Sequence, residues 1–338
     1  MMSRPSCICD VHAHVVPAEL PSYLGGLAPA DWPSMAPAQA CHRSVVVSGR
    51  IYRTVSDRCW DGPKRIADMD TMGVGLQVLS PMPELLSTWM EPGPATQLLR
   101  YINDQIAEMV VQGGGRFAGL GAVPMQDLEA AIRELHRCVG ELGFAGVEIG
   151  SNIEGRPIGA PEFEPFFEAA EALGAAVFVH ALRPTGMDRL VGPKQLQQVL
   201  AYPTDVGLAA ASAITSNLLL RHPRLRIAFS HGGGTLGLLL PRLEEGWRTF
   251  PDIADTLRES PTRQARRLFY DALVYDAPTL RHLVDLFGDT QLMVGTDYPF
   301  NFHERNPVGR IEAAVADPEA RRRLLVDNAA RFLGRSPA

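Results

Sequence analysis

Lysine is nearly missing from this chain: of 32 basic side chains, only Lys64 and Lys194 are lysines. The net charge of −6 is spread evenly, so no basic patch suits nucleic acid. No apolar run approaches the roughly 18 residues a membrane-spanning helix needs, and the first residues hold no apolar export segment. A membrane role is therefore excluded and a cytoplasmic location is expected. The five cysteines (7, 9, 41, 59 and 138) are odd in number and lack paired spacing, which excludes a disulfide framework and fits a reducing compartment. A glycine-rich phosphate turn is also absent after the first strand; His-Ala-His stands there instead.

What is present begins with Asp10-Val-His12-Ala-His14, closing a short apolar strand that starts at Cys7-Ile8-Cys9. Side chains alternate along a strand, so Asp10, His12 and His14 are expected on one face and the small apolar Cys7 and Cys9 on the other. Two imidazoles two residues apart can hold one metal ion. Three more chemically capable groups end later apolar runs: His180 after Ala-Ala-Val-Phe-Val, His231 after Arg-Ile-Ala-Phe-Ser, and Asp297 after Gln-Leu-Met-Val-Gly-Thr. Neutral imidazole and carboxylate suit zinc or a similar divalent ion, and an open position on such an ion serves catalysis. His136 and His282 fall mid-helix and His222 at the opposite rim, all three read as structural or solvated. His303, in the loop after the last strand, could reach the pocket but reads first as a loop residue. The glycines 232–234 after His231 admit two readings: close approach of backbone and helix N-terminus to an anion, or a tight turn.

Residues 17–58 do not follow the later pattern. They are rich in proline, glycine and alanine up to 44, then form two β-like runs, 44–47 and 50–55, around Ser48-Gly49. From residue 61 helices stopped by glycine alternate with strands: helices over 61–72, 96–112, 128–142, 162–173, 206–221, 236–247 with the segment on to 267, and 279–287, strands over 74–82, 117–123, 146–150, 176–180, 225–231, 269–274 and 292–297, and a closing helix over 319–333. Eight strands alternating with helices predict an α/β fold, a (β/α)8 TIM barrel spanning 1–338 as one domain, with the 17–58 segment a small insertion after strand 1 over the barrel mouth. Catalytic groups sit at the C-terminal strand ends of such barrels, where these histidines and Asp297 fall.

These motifs, with Phe-Ser-His231-Gly-Gly-Gly, Gly-Thr-Asp297-Tyr-Pro-Phe and Asn328-Ala-Ala-Arg-Phe-Leu, resemble the amidohydrolase superfamily. Arg53-x-Val, Cys59-Trp60-Asp61, Arg65 to Val74, Pro124-x-Gln126-Asp127-Leu128 and Arg242 narrow the likeness to its branch of non-oxidative decarboxylases, typified by 2-amino-3-carboxymuconate 6-semialdehyde decarboxylase. The resemblance implies one zinc ion, with Mn2+ or Co2+ also compatible, held by His12, His14, His180 and Asp297. It implies His231 as the acid/base, with Asp297 an alternative proton donor to carbon. Arg53 and Arg242 would bind substrate carboxylates, Arg242 reaching in from the partner of a homodimer. Some relatives bridge two metals with a carboxylated lysine on strand 4. This chain has Glu148 and Asn152 there and no lysine near, which favours a mononuclear site. Arg183, in Ala-Leu-Arg-Pro-Thr-Gly where the likeness leads one to expect Pro-Trp, is a further candidate substrate contact. The expected activity is decarboxylation of a small unsaturated or aromatic carboxylic acid. A hydrolase or hydratase acting on a ring-cleavage product or lactone remains the alternative on the same scaffold.

Overall fold

The computed structural model describes residues 7–335. Eight strands lie in chain order in one sheet: β1 (Cys9–Val15), β2 (Leu76–Pro81), β3 (Phe117–Ala122), β4 (Gly146–Gly150), β5 (Ala176–His180), β6 (Arg226–Phe229), β7 (Phe269–Asp271) and β8 (Leu292–Met293). Every neighbouring pair is parallel. Just past β8 the chain bridges back to β1. Val11 N–H donates to the Val294 carbonyl at 2.9 Å and His14 N–H to the Tyr298 carbonyl at 2.7 Å, which closes the ring. The expected eight-stranded barrel is therefore the observed one.

Strands covered on both faces read as near-continuous apolar runs, and both faces are occupied here. Cys9, Val11, Leu76, Val78, Leu120, Phe178 and Met293 fill the lower barrel interior, against Phe332 of the last helix, Asn328–Phe332, and the adjoining Leu333. The alternate residues, such as Val147, Val177, Ile227 and Tyr270, meet the surrounding helices. The main helices are α1 (Gly62–Met72), α2 (Pro92–Gln112), α3 (Leu128–Gly140), α4 (Glu164–Leu173), α5 (Tyr202–Thr215), α6 (Leu236–Thr249) and α7 (Ala277–Phe287). Local chemistry sets their limits. The Asp61 carboxylate accepts from Lys64 N–H at 3.0 Å to start α1, and Gly73 ends it at φ 74°.

The single helix expected over 206–221 starts earlier, at Tyr202, and breaks at Asn217, whose φ is 57°. There the Asn217 side chain donates to the Thr256 carbonyl at 2.8 Å and accepts from Arg258 N–H at 3.0 Å. Asparagine tolerates the left-handed conformation, and these tertiary bonds outweigh continuation of the helix. The helical stretch expected from 236 to 267 is likewise broken, into α6, Pro251–Thr256 and Pro261–Ala265. In the 17–58 segment, His42–Val47 and Arg50–Ser56 pair around Ser48-Gly49, both at positive φ, as a two-residue hairpin turn requires. A third strand not foreseen, Ser34–Pro37, pairs with the first.

One buried cation ties α1 to the strands beneath the mouth. The fully buried Arg65 donates to the His14 carbonyl at 2.6 Å, to Gln77 Oε1 at 2.9 Å and to the Arg58 carbonyl at 3.2 Å. Gln77 in turn donates to Asp10 at 2.9 Å. Removing the guanidinium strands three acceptors and leaves a cavity. Arg65→Ala is expected to lower unfolding free energy by about 3 kcal/mol, read by urea denaturation; a loss below about 1 kcal/mol would contradict this account of the network.

Candidate active site

The alternation expected along β1 does not hold. Asp10 pairs with Gln77 but Ala13 with Leu79, so β1 carries one extra residue against β2. This bulge switches the inward set from Cys9 and Val11 to His12 and His14. Asp10 turns instead to the outer layer, where Gln77 and the hydroxyl of Thr296 bind it. Cys9, expected opposite the histidines, lies in the barrel interior below them. Cys7 is exposed.

Three imidazoles converge at the mouth, each with Nδ1 committed. His12 Nδ1 is 2.6 Å from Asp271 Oδ2, His14 Nδ1 is 3.0 Å from the Pro81 carbonyl, and His180 Nδ1 is 2.9 Å from the Ala181 carbonyl. These acceptors fix the proton on Nδ1 and leave every Nε2 as a lone-pair donor. His12 Nε2 and His14 Nε2 lie 3.1 Å apart, two acceptors facing each other, and His180 Nε2 is buried without any hydrogen-bond partner. Asp297 Oδ1 lies 3.1 Å from His14 Nε2 and 3.6 Å from His12 Nε2. The four ligand atoms all lie within 4.8 Å of one another. Lone pairs aimed at one another in a buried space demand a cation, and this donor set forms a metal site. Asp297 reaches it from a left-handed backbone, φ 62°, with its N–H on the His12 carbonyl at 2.9 Å.

Burial pushes the His12 and His14 imidazoles down to about 3 and His180 well below its ordinary value, so all three are neutral at pH 7 and need lose no proton to bind metal. His231 stands beside them, its ring 5.0 Å from that of His180 and 5.4 Å from that of His12, and burial lowers it also to about 3. Its Nδ1 lies 3.1 Å from Ser230 Oγ. Glu148 stays outside the ligand set, hydrogen-bonded by Ser80 and 3.8 Å from His14 Nδ1.

Asp271, at the end of β7, escaped the sequence reading, although a carboxylate ending Phe-Tyr-Asp was a legible signal. Besides His12 Nδ1, it accepts from the backbone N–H groups of His231 (3.0 Å), Gly232 (2.8 Å) and Leu273 (3.1 Å). Residues 231–234 all have positive φ, between 54° and 74°. A Cβ at Gly234 would lie 1.8 Å from the Pro203 carbonyl, so the turn itself requires glycine there, and Gly234 also lines the cavity.

Above the ligands opens a cavity of about 630 Å³, walled by Tyr52, Arg53, Met82, Tyr202, Leu273 and Phe300 among others. The Arg53 guanidinium lies 4.2 Å from the Phe300 ring centre. Arg183 is not in this wall: it bonds Glu84 at 3.0 Å and lies over Trp89. Arg242 is exposed on α6 and does not line its own chain's cavity. His282, read as structural or solvated, lines the cavity, with Nε2 3.1 Å from the Gly237 carbonyl. His303 turns Nδ1 to the Phe300 carbonyl instead.

An eight-stranded barrel with a His3Asp metal site at its C-terminal mouth defines a class, and residues 9–335 match the family described as Amidohydrolase; the chain belongs to that family. Among its relatives, the 2-amino-3-carboxymuconate-6-semialdehyde decarboxylase of Dictyostelium discoideum is 36% identical over 331 residues, covering 97% of this chain and 92% of the relative. A gamma-resorcylate decarboxylase of Rhodococcus jostii is 27% identical over 70% of this chain and 76% of its own. The structure of a dihydroxybenzoic acid decarboxylase from Polaromonas, with bound manganese and 2-nitroresorcinol, shares the fold at TM-score 0.75 and 22% identity, covering 97% of each chain.

Two predictions follow from this geometry. Asp271→Asn places an NH2 group against N–H donors and is expected to weaken metal affinity about 10- to 100-fold, measured by chelator competition; unchanged affinity would remove Asp271 from the site. The second concerns pH. A histidine titrating near 6.5 when unfolded and about 3 when folded contributes stability above pH 6.5 that is lost as pH falls toward 3. Raised carboxylates at Asp10 and Asp271 oppose this in the whole protein, so the test compares variants. Between pH 6.5 and 5, metal-free His231→Asn should lose stability less steeply than the parent, by about 1 kcal/mol per pH unit, in urea midpoints taken across that range. Parallel slopes would show that His231 titrates normally.

Proposed function

We propose that this protein is a metal-dependent non-oxidative decarboxylase of a small unsaturated or aromatic carboxylic acid. The observation that carries this reading is the convergence of three unprotonated Nε2 atoms and Asp297 beside His231, under a largely apolar cavity entered by the Arg53 guanidinium. The relatives named above are all decarboxylases, and nothing in the site favours the hydrolase or hydratase alternative.

His12, His14, His180 and Asp297 would hold the ion. We take it to be zinc, which three imidazoles and a carboxylate suit, with manganese and cobalt served by the same donors. Once bound, it supplies positive charge that polarises a substrate oxygen. Arg53 pairs with the substrate carboxylate, for which a guanidinium fork is well shaped. The apolar walls exclude water and strengthen that pairing. His231 serves as acid/base through Nε2, its Nδ1 being turned to Ser230. The bond from carbon to the carboxylate breaks, its electron pair passes to the carbon, and CO2 leaves. The carbon takes up one proton in place of CO2; it comes from water by way of His231, with Asp297 the alternative carrier, and the hydroxide left behind passes to solvent.

The functional unit is read as a homodimer, in which Arg242 serves the partner's site. Arg242 projects from α6 beside the exposed Leu238, which lines the cavity mouth, and Leu239. The chain acts as one domain over 1–338, with the 17–58 segment shaping the mouth. A cytoplasmic location agrees with the described cysteines, all of which are free, and no described helix is long and apolar enough to cross a membrane.

Elemental analysis with a CO2-release assay over muconate-type and hydroxybenzoate acids tests the proposal. One metal per chain and CO2 release abolished by chelator are expected; two metals per chain, or no CO2 from any acid, would overturn it. His231→Ala should lower turnover about 10²- to 10⁴-fold with metal retained, and near-full turnover would refute its role.

A further inference from the structure

Two phenols meet in the cavity wall with little to do there. Tyr52 comes from the inserted strand Arg50–Ser56 and Tyr202 from the start of α5, yet their hydroxyls lie 3.5 Å apart. That is the outer limit of a hydrogen bond, and among the described residues neither hydroxyl has another partner. A phenol in a largely buried position ordinarily finds a partner for its O–H, and phenylalanine would fill the same space without the need. The pair lies close to the ligand set: the Tyr202 ring is 6.3 Å from that of His180. The neighbouring Arg53 guanidinium also has no hydrogen-bonded protein partner among the described residues, its contact being the face of Phe300.

We propose that Tyr52 and Tyr202 form a two-donor clamp for a second substrate oxygen, apart from the carboxylate assigned to Arg53. The clamp would make the enzyme selective for hydroxylated carboxylic acids. This rests on the decarboxylase reading and narrows its substrate class. The oxygen is a neutral hydroxyl rather than a second carboxylate, because Arg53 is the only arginine or lysine among the described residues lining the cavity and two neutral phenols offer a second anion no charge. Burial raises both phenols above their ordinary range, so they stay protonated and act as donors. A hydroxyl seated between them replaces one long mutual contact with two bonds of ordinary length.

The test measures calorimetric binding of benzoate and of 2-, 3- and 4-hydroxybenzoate to the metal-loaded parent, Tyr52→Phe and Tyr202→Phe proteins. Each variant's metal content and melting temperature serve as controls for folding. At least one hydroxybenzoate should bind the parent more tightly than benzoate. Each Phe variant should weaken that ligand about five- to tenfold while leaving benzoate unchanged, as loss of one net hydrogen bond implies. Equal weakening of benzoate and the hydroxybenzoates, no weakening of any, or no hydroxyl advantage in the parent would each overturn the clamp. CO2 release is scored separately: hydroxyl-selective binding without it would sink the decarboxylase reading and leave the clamp standing.

Discussion

The carboxylate of Asp271 is the joint on which the site turns. One oxygen takes the Nδ1 proton of His12 and the backbone N–H of His231, and the other takes those of Gly232 and Leu273. A metal ligand, the proposed acid/base and the turn that carries it are thereby referred to one buried group. The turn would not hold its shape unaided, since a histidine at φ 54° is conformationally costly and persists only where its surroundings impose it. Asp271 reaches both partners because β7 lies beside β6 and because the closed barrel brings β1 within its span.

Desolvation supplies the chemistry. Imidazoles left in water would be partly protonated near neutrality and would compete poorly for a cation; sealed at the barrel mouth, they stay neutral. The same seal leaves their Nε2 lone pairs no solvent to satisfy them, so the fold holds an electrostatic debt that a divalent ion discharges. Behind them, Arg65 and Gln77 anchor β1 from the outer side and thus set the depth of His14. The metal site accordingly rests on two layers of hydrogen bonding, one inside the ring of strands and one outside it.

Much of this was legible in one dimension. Helices stopped by glycine and alternating with apolar strands specify a parallel barrel through local rules of capping and periodicity, and His12, His14, His180, His231 and Asp297 are each marked by an apolar run just before them. The bulge in β1 was not legible, because alternation is a rule for unbroken strands and the extra residue shows itself in pairing with β2. Arg183 looked like a substrate contact from its place after His180. Its guanidinium instead goes to Glu84 and Trp89, partners 99 and 94 positions distant.

By itself, then, the sequence determined the class of fold and the inventory of metal-binding groups, since both follow from residue type and short-range spacing. Tertiary structure alone decided which nitrogen of each histidine is free, that Asp271 orders the site, and that Tyr52 and Tyr202 share one wall of the cavity. These depend on acceptors and neighbours brought together across as many as 259 residues, a juxtaposition that no local pattern encodes.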